Sequence, residues 1–287
     1  MLVSVFLMRN LILTLPILAA LMANSPASAQ NVRLYVFDNG VLQGLSPEAF
    51  HFKKEEVAVT DMVCVSYLIV HPKGTLMWDS GVIPDSEIEA GHTEKKLGMG
   101  TIKATKTLKS QLASVGYEPK NITYFALSHD HFDHTANANA FAGSTWIVQQ
   151  PERDAMFPEK PAAGTVTAAA TYAALKNGKT KILHGEDYDV FGDGTVVIKA
   201  AYGHTPGHQV LYVKLARTGP VLLAGDLYHY QEERGTDKTP TFEFNGPQSL
   251  ASRAAVEAFI KKTGAQLWIE HDPVNFNKQK KAPAFYN

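Results

Sequence analysis

A run of metal-binding side chains lies near the middle of the chain, where residues 128–134 read SHDHFDH. Three histidines and two aspartates fall within six consecutive positions, and each would need its own hydrogen-bond partner if it were buried for structure alone. Imidazole nitrogens and carboxylate oxygens are ligands that zinc prefers. The run therefore predicts a metal site.

Further donors follow at the predicted ends of three other strands, in GHTPGH (203–208), LLAGD (222–226) and WIEHD (268–272). A lone histidine at a strand end is usually only hydrogen-bonded, so the prediction depends on the combination. Too many donors are present for one zinc ion, which indicates two. The candidates, expected at one sheet edge, are His129, His131, Asp133, His134, His204, Asp226 and His271.

The elements that would position these residues alternate between strand and helix. Segments rich in β-branched and aromatic residues predict strands at 32–37, 57–70, 75–81, 123–128, 145–149, 181–184, 195–202, 209–215, 220–225 and 266–272. Apolar spacing predicts helices over 102–115 and 248–262. An Ala-rich stretch, 150–177, has helical character and would form either a surface pair or a pocket wall. This order predicts a layered α/β enzyme with reactive residues just past its strands.

Composition narrows the class of protein. The 287 residues are 45% hydrophobic and 19% charged, which is ordinary for a globular protein with a sizeable core. The formal net charge of −1 gives no reason to expect nucleic acid or an anionic membrane surface as a partner. Cys64 is the only cysteine and lies in an apolar run, which predicts a buried, inert thiol and no internal disulfide.

The N-terminal segment differs from the rest of the chain. Arg9 is its only charged residue, an apolar run covers 11–21, and small residues end it at Ala27-Ser28-Ala29. This pattern predicts a cleavable signal peptide, 1–29, then a single domain, 30–287, and a periplasmic or secreted protein with no membrane contact after cleavage. A retained anchor is the alternative, which the short apolar run disfavours.

Together, SHDHFDH, TPGH (205–208), the GD of LLAGD and the EHD of WIEHD resemble the metallo-β-lactamase superfamily across the chain that follows the signal. The resemblance implies an α/β (α+β) fold, the four-layer αββα sandwich, with a dinuclear site at one sheet edge. It implies that His129, His131 and His204 bind a first ion, that Asp133, His134 and His271 bind a second, and that Asp226 bridges them. Asp79 and Asp272 match supporting positions, and His208 matches a position that is usually not a ligand.

Within the superfamily, HFDH, residues 115–134, GHTPGHQ (203–209) and the terminal EHD resemble the N-acyl-homoserine lactonases. The resemblance implies a quorum-quenching hydrolase with two Zn²⁺ per chain, although other divalent ions also suit such a site. A hydroxide between the ions would open the ring of a small-molecule acyl lactone, with Asp133 and Asp226 as catalytic carboxylates. It also implies that Phe132 lines the acyl pocket.

One position departs from that branch, which has a tyrosine three residues after the bridging aspartate. His229 stands there instead. Tyr228 or Tyr230 would then reach the substrate, or His229 would supply the polar contact. A thioesterase or phosphodiesterase is the alternative function and would want basic residues near the pocket, such as Lys95, Lys96 and Lys103. A non-catalytic metal-binding protein is disfavoured because all seven ligand positions are filled.

Overall fold

The computed structural model describes residues 31–159 and 169–287. The predicted signal peptide, 1–29, lies outside the described residues, and so does part of the predicted helical stretch 150–177. Within the described residues, two β-sheets stack face to face with helices on their outer surfaces. The predicted αββα sandwich is confirmed.

The larger sheet has eight strands among the described residues, in the order β4-β5-β1-β2-β3-β6-β7-β8. The strands are β1 Arg33–Gln43, β2 Met62–His71, β3 Gly74–Trp78, β4 Glu94–Leu97, β5 Gly100–Lys103, β6 Tyr124–Ala126, β7 Thr145–Gln149 and β8 Thr180–Leu183. The segment from β4 to β1 pairs antiparallel, whereas β3, β6, β7 and β8 run parallel.

The second sheet has five strands within the described part, in the order β13-β12-β11-β10-β9. They are β9 Tyr188–Asp189, β10 Val196–Ala200, β11 Gln209–Leu215, β12 Gly219–Leu223 and β13 Gln266–Trp268. The helices are α1 Asp85–Glu89, α2 Leu108–Ser114, α3 Phe132–Thr135, α4 Gln150–Met156, α5 Ala169–Tyr172, α6 Gly246–Thr263 and α7 Pro273–Lys278. Among them, none is both long and apolar enough to cross a membrane.

Strand alternation explains the layers. Along β2, Val65, Tyr67 and Ile69 point into the core between the sheets. The intervening Leu68 and Val70 pack beneath the helices on the outer face. Because both faces of β2 are covered, the strand reads as a continuous apolar run instead of an alternating one.

The longest helix, α6, covers the outer face of the second sheet. Val256 packs there with Val210 and Leu222 from the strands beneath. Asn245 caps the helix start, since its side chain accepts a hydrogen bond from the backbone of Gln248. The helix therefore has a fixed position relative to the strand ends.

The predicted helix 102–115 is wrong in its first part. Residues 100–103 form β5, which pairs with β1 and with β4, and the helix begins only at Leu108. Thr107 caps the helix, because its hydroxyl accepts a hydrogen bond from the backbone of Ser110. The β4–β5 hairpin was not predicted because β4 lacks alternating apolar residues: three of its four residues are charged and exposed.

The strand ends bring the predicted donors to one edge of the sandwich. The run 128–134 follows β6, and Asp226 follows β12. His271 follows β13, which is parallel to β12 and beside it. His204 lies in the connection between β10 and β11. Segments far apart in the chain therefore meet at this edge.

Candidate metal centre

The carboxylate of Asp226 lies between two groups of histidines. Its Oδ1 is 3.1 Å from Nε2 of both His134 and His271. Its Oδ2 is 3.5 Å from Nε2 of His129 and 3.4 Å from Nε2 of His204. The two oxygens thus face different sets of nitrogens, which is the arrangement that a carboxylate shared by two ions requires.

The donor atoms converge closely. In each of two groups, the candidate ligand atoms lie within 4.8 Å of one another. The groups are His129, His131, His204 and Asp226, and His134, Asp226 and His271. Asp133 is within the same limit of His271 and Cys64. The structure therefore brings together all seven residues predicted as ligands.

Four of the histidines are held from behind through Nδ1, so that Nε2 faces the centre. The partners are the Ser128 hydroxyl for His129 at 3.0 Å, the Asp79 carboxylate for His134 at 2.9 Å, the Glu243 carboxylate for His204 at 2.8 Å, and the Val63 carbonyl for His271 at 2.8 Å. A histidine that ligates a metal commonly donates its other N–H in this way, which fixes its tautomer and its ring orientation.

Several polar atoms of the centre have no hydrogen-bond partner within the described residues, although they are buried. They are Nε2 of His129, Nε2 of His134 and Oδ1 of Asp226. Buried polar groups are nearly always satisfied, so unpartnered nitrogens aimed at a carboxylate need an explanation. Cations between these atoms would satisfy them, and imidazole with carboxylate is the donor set that suits zinc. The residues present fit a pair of metal ions.

The electrostatics of Asp226 agree with this fit. Burial raises the pKa of its carboxyl, but His271, His134 and the neighbouring histidines outweigh burial and hold the pKa well below its usual range. Asp226 is therefore a carboxylate and not a carboxylic acid. Only the ionised form can offer both oxygens to cations.

His208 is not part of the donor set, as predicted from its position in the motif. Its Nδ1–H donates to the Ala201 carbonyl at 3.0 Å, and its Nε2 accepts the backbone N–H of Asp226 at 3.0 Å. Burial lowers the pKa of His208 to about 3, so the ring is neutral. Gly225 makes this contact possible, because a Cβ there would lie 2.7 Å from Nε2 of His208. His208 supports the backbone of the central aspartate.

Glu152, at the start of α4, joins two of the ligand-bearing loops. Its Oε1 accepts the backbone N–H of Asp130 at 2.8 Å. Its Oε2 accepts the hydroxyl of Thr205 and the backbone N–H of Gly207, both at 2.8 Å. Burial and the Asp130 carboxylate raise the pKa of Glu152 to about 8. A Cβ at Gly207 would lie 2.4 Å from the Glu152 backbone nitrogen, so only glycine allows this approach.

Asp79 takes the supporting place that the sequence predicted. Its φ of 59° is unusual for a residue with a side chain. Its Oδ1 accepts the backbone N–H of Ser128 at 2.6 Å, while Oδ2 holds His134. Such strain at a ligand-orienting position is typical of functional sites.

Asp272 does not take the predicted supporting place. Its side chain caps α7 by accepting the backbone N–H of Val274, and it also accepts from Gln231. Instead, the neighbouring Glu270 lies behind the centre, with Oε2 3.8 Å from Nδ1 of His134. The first residue of the EHD motif therefore places a buried carboxyl group behind His134.

His229 reaches the centre, whereas the neighbouring tyrosines do not. The Nε2 atom of His229 is 3.3 Å from Oδ2 of Asp226, and its ring stacks on His271 at 5.8 Å. The hydroxyl of Tyr228 donates to Glu257 on α6, and Tyr230 packs edge-on against Phe50 and is not among the residues lining the cavity beside the centre. Neither tyrosine contacts the metal donors.

That cavity has a volume of about 590 Å³. Phe132, the first residue of α3, lines it as expected. The polar lining is concentrated where His131, Asp133, Asp226, His229 and His271 meet. Most of the remaining wall is apolar, from Leu42, Leu45, Ala49, Phe50, Met62, Met99, Phe132 and Phe242.

Cys64 is buried, as predicted, and burial raises the pKa of its thiol well above the ordinary value. The thiol therefore stays protonated, although it lies beside Asp133 and His271. A thiol in this form is a poor nucleophile and a poor ligand.

Several residues of the site carried no usable sequence signal. Glu152 and Glu243 are remote from any motif, and Glu233 lies in the segment that follows Asp226. The side chain of each is buried against a residue of the centre or its loops. Phe242 closes over the histidines, with its ring 5.9 Å from that of His204. Of these, only the position of Glu233, four residues after His229, gave a local hint.

Comparison with known proteins agrees with the geometry. The sequence profile of the metallo-beta-lactamase superfamily matches residues 59–265. The N-acyl homoserine lactonase AttM of Azorhizobium caulinodans is 26% identical over 262 residues, covering 90% of this chain and 99% of that protein. The N-acyl homoserine lactonase AiiA of Bacillus thuringiensis subsp. kurstaki is 28% identical over 210 residues, covering 72% of this chain and 80% of that protein.

A solved structure is also similar. It is an N-acyl homoserine lactone hydrolase with the product N-hexanoyl-L-homoserine bound at its catalytic metal centre. The TM-score is 0.70 at 26% identity, and the match covers 88% of this chain and 98% of that one.

Proposed function

Since this chain belongs to the metallo-β-lactamase superfamily, we propose that it is a metal-dependent hydrolase that opens the lactone ring of N-acyl-homoserine lactones. Support comes from the relatives and the solved structure, which carry this activity in their names. The observation that carries the proposal is the position of Asp226, between two groups of histidines at one end of an apolar cavity.

We propose that the centre holds two Zn²⁺ ions. His129, His131 and His204 would hold one, and Asp133, His134 and His271 the other, with Asp226 contributing an oxygen to each. Bound zinc lowers the pKa of a coordinated water and polarises a carbonyl oxygen, which is the chemistry that ester hydrolysis needs.

The cavity suits a molecule with one polar end and one apolar end. Its polar lining includes residues of the centre, among them Asp226 and His271, and its apolar lining includes Phe132 and Met99. The lactone ring would lie against the polar end and the acyl chain along the apolar wall. A cavity of about 590 Å³ is within the range of small-molecule sites.

The protein's own residues have distinct parts in this reaction. His229 lines the cavity beside Asp226, where an imidazole can contact the carbonyl of the ring. Asp133 lines the same end and offers a carboxyl group that can carry a proton to the ring oxygen as the ester bond breaks. Water adds to the carbonyl carbon, the ring C–O bond breaks, and one proton of the water passes to the ring oxygen, which becomes a hydroxyl group. The new carboxyl group on the same acyl-homoserine molecule releases the second proton to solvent and leaves as a carboxylate.

The surroundings of the cavity disfavour the alternative phosphodiesterase. None of the described residues that line it is a lysine or an arginine. Lys95, Lys96 and Lys103 are exposed on the β4–β5 hairpin, and Lys103 pairs with Glu94 at 3.3 Å. Among these described lining residues, a diester anion would therefore find no basic side chain apart from histidine.

Hydrolysis of a substrate panel tests the proposal. Protein loaded with zinc is assayed on hexanoyl-homoserine lactone, an acyl thioester and a bis-aryl phosphodiester. We expect ring opening, with a product that closes again to the lactone in acid. Release of hexanoic acid would identify an amidase instead, and cleavage of only the thioester or the diester would establish the alternative function.

A further inference from the structure

We propose that Glu233 is the positioning residue for His229, holding its imidazole so that Nε2 faces Asp226 and the cavity. The importance of Nε2 for turnover rests on the proposed function, but the orientation of the ring does not. Glu233 lies four residues after His229 and is fully buried.

Glu233 contacts both the backbone and the ring of His229. Its Oε2 accepts the backbone N–H of His229 at 2.5 Å. Its Oε1 lies 3.6 Å from Nδ1 of the same residue. The Glu233 carboxylate thus fixes the backbone of His229 through one oxygen. Its other oxygen faces Nδ1, the ring nitrogen that points away from Asp226.

Arg253 of α6 anchors the carboxylate in turn. Its Nη2 lies 3.4 Å from Oε2 of Glu233. The same guanidinium donates from Nε to the Leu227 carbonyl at 2.8 Å and from Nη1 to the Lys238 carbonyl at 2.6 Å. The long helix therefore clamps both ends of the loop that carries His229, and it neutralises a carboxylate that water cannot reach.

His229 needs such a partner because of its chemistry. A phenol presents one polar atom, so its direction is set once the ring is packed. An imidazole has two different nitrogens, and a flip of the ring or a change of tautomer alters what it offers. With the Glu233 carboxylate beside Nδ1, the proton is favoured there, and Nε2 is directed to the centre.

The position of His229 argues against a purely structural role for this arrangement. The ring is only 3% exposed, yet neither of its nitrogens has a close hydrogen-bond partner in the described part of the chain. Its nitrogens also belong to neither group of donors that lie within 4.8 Å of one another. His229 is therefore oriented at the edge of the metal centre, toward the space where a substrate would bind.

Nitrogen NMR on the zinc-loaded wild-type protein tests the orientation without any substrate. Long-range ¹H–¹⁵N correlations report which nitrogens of His229 carry protons. We expect Nδ1 to be protonated, and we expect that signal to shift in Glu233→Gln. An unprotonated Nδ1 in the wild type would overturn the proposal, whether or not the protein opens lactones.

A double-mutant cycle tests the consequence for turnover. Glu233→Gln is expected to lower kcat for hexanoyl-homoserine lactone by about 10-fold or more, with a smaller change in KM, while two metal ions stay bound. In the His229→Tyr background the same change should alter kcat less than about 3-fold, because the phenol does not need the carboxylate.

Glu232→Gln is the matched control, since this neighbouring side chain accepts a hydrogen bond from the backbone of Ala58, outside the centre. Glu233→Asp keeps the negative charge, and it replaces Glu233→Gln in the cycle if Glu233→Gln does not fold. Equal losses of kcat in the histidine and tyrosine backgrounds would mean that Glu233 merely stabilises the loop, and the positioning role would be rejected. Failure of the wild type to open any lactone would instead reject the proposed function.

Discussion

The imidazole of His208 supports the backbone of Asp226, with Nε2 accepting its N–H at 3.0 Å. Because the other ring nitrogen is bonded to Ala201, His208 links two strand ends through one rigid side chain. The direction of the Asp226 carboxylate is thus set by the backbone of the second sheet as well as by the groups that it faces.

Asp226→Ala is expected to lower kcat/KM for lactone opening by about 100-fold or more, because the change removes the carboxylate that faces both groups of histidines. Steady-state kinetics and metal analysis on the same preparation measure the effect. Asp187→Ala, at an exposed ion pair with Lys199, is the control and should change little. Near-normal turnover of the Asp226 variant would show that the carboxylate is not shared between ions.

The seven candidate ligands were predictable because their signals are local or lie at strand ends. His129, His131, Asp133 and His134 share one short run, and parallel strands bring His271 beside Asp226. The supporting carboxylates were not predictable. Glu243 holds His204 from 39 residues away, and an isolated glutamate in a loop has no pattern that reveals its partner.

The sequence also did not predict which of the side chains after Asp226 faces the centre. Residues 225–227 form a 3₁₀ turn, and the backbone then extends at Tyr228. This path turns Tyr228 toward α6 and His229 toward the centre, and the choice depends on dihedral angles that residue types alone do not specify. The β4–β5 hairpin was missed for a related reason, since its pairing to β1 and not its composition makes it a strand.

Purified protein is expected to contain about two metal ions per chain, and chelation should lower its Tm by roughly 10 °C, as expected for loss of tightly bound ligands from a domain of this size. Removing the ions leaves the Nε2 atoms of His129 and His134 and the Asp226 carboxylate buried without partners. Elemental analysis and calorimetry before and after chelation measure both quantities. One ion or none in fully active protein would contradict the dinuclear centre.

The stability of the protein is expected to depend on pH through Glu152. Its folded-state pKa of about 8 lies above the ordinary value of 4.5, so the folded protein binds the extra proton more strongly than the unfolded chain. This contribution is complete below about pH 4.5 and is lost as the pH rises through 8. The difference in Tm between the wild type and Glu152→Gln should therefore decrease as the pH is raised from 5 to 8, because the wild type loses this stabilisation and the variant does not.

Glu89→Gln, at an exposed position on α1, is the control for the Glu152 measurement. Its difference from the wild type should stay constant over the same pH range. A Tm difference for Glu152→Gln that stays constant from pH 5 to pH 8 would contradict this prediction, because it would mean that the carboxyl is ionised throughout that range and that its three hydrogen bonds outweigh burial.

Export is expected to remove the first 29 residues, because the apolar run and the Ala-Ser-Ala ending have the form of a signal peptide. Mass spectrometry of protein from the periplasm or the medium should find Gln30 at the N-terminus. Protein that keeps Arg9 and sediments with membranes would favour an anchor instead.

Chain-length preference should depend on Phe132, which lines the apolar wall beside the donor atoms. Burying each methylene of an acyl chain contributes about 0.8 kcal/mol, so kcat/KM should rise up to about 4-fold per carbon until the cavity ends. Phe132→Ala removes part of that wall, and we expect it to weaken decanoyl-homoserine lactone more than butanoyl-homoserine lactone. Kinetics across a series of even-numbered chains measure the preference, with Phe285→Ala as a control outside the cavity. An equal loss for short and long chains would mean that Phe132 supports the fold of α3 and does not contact the acyl chain.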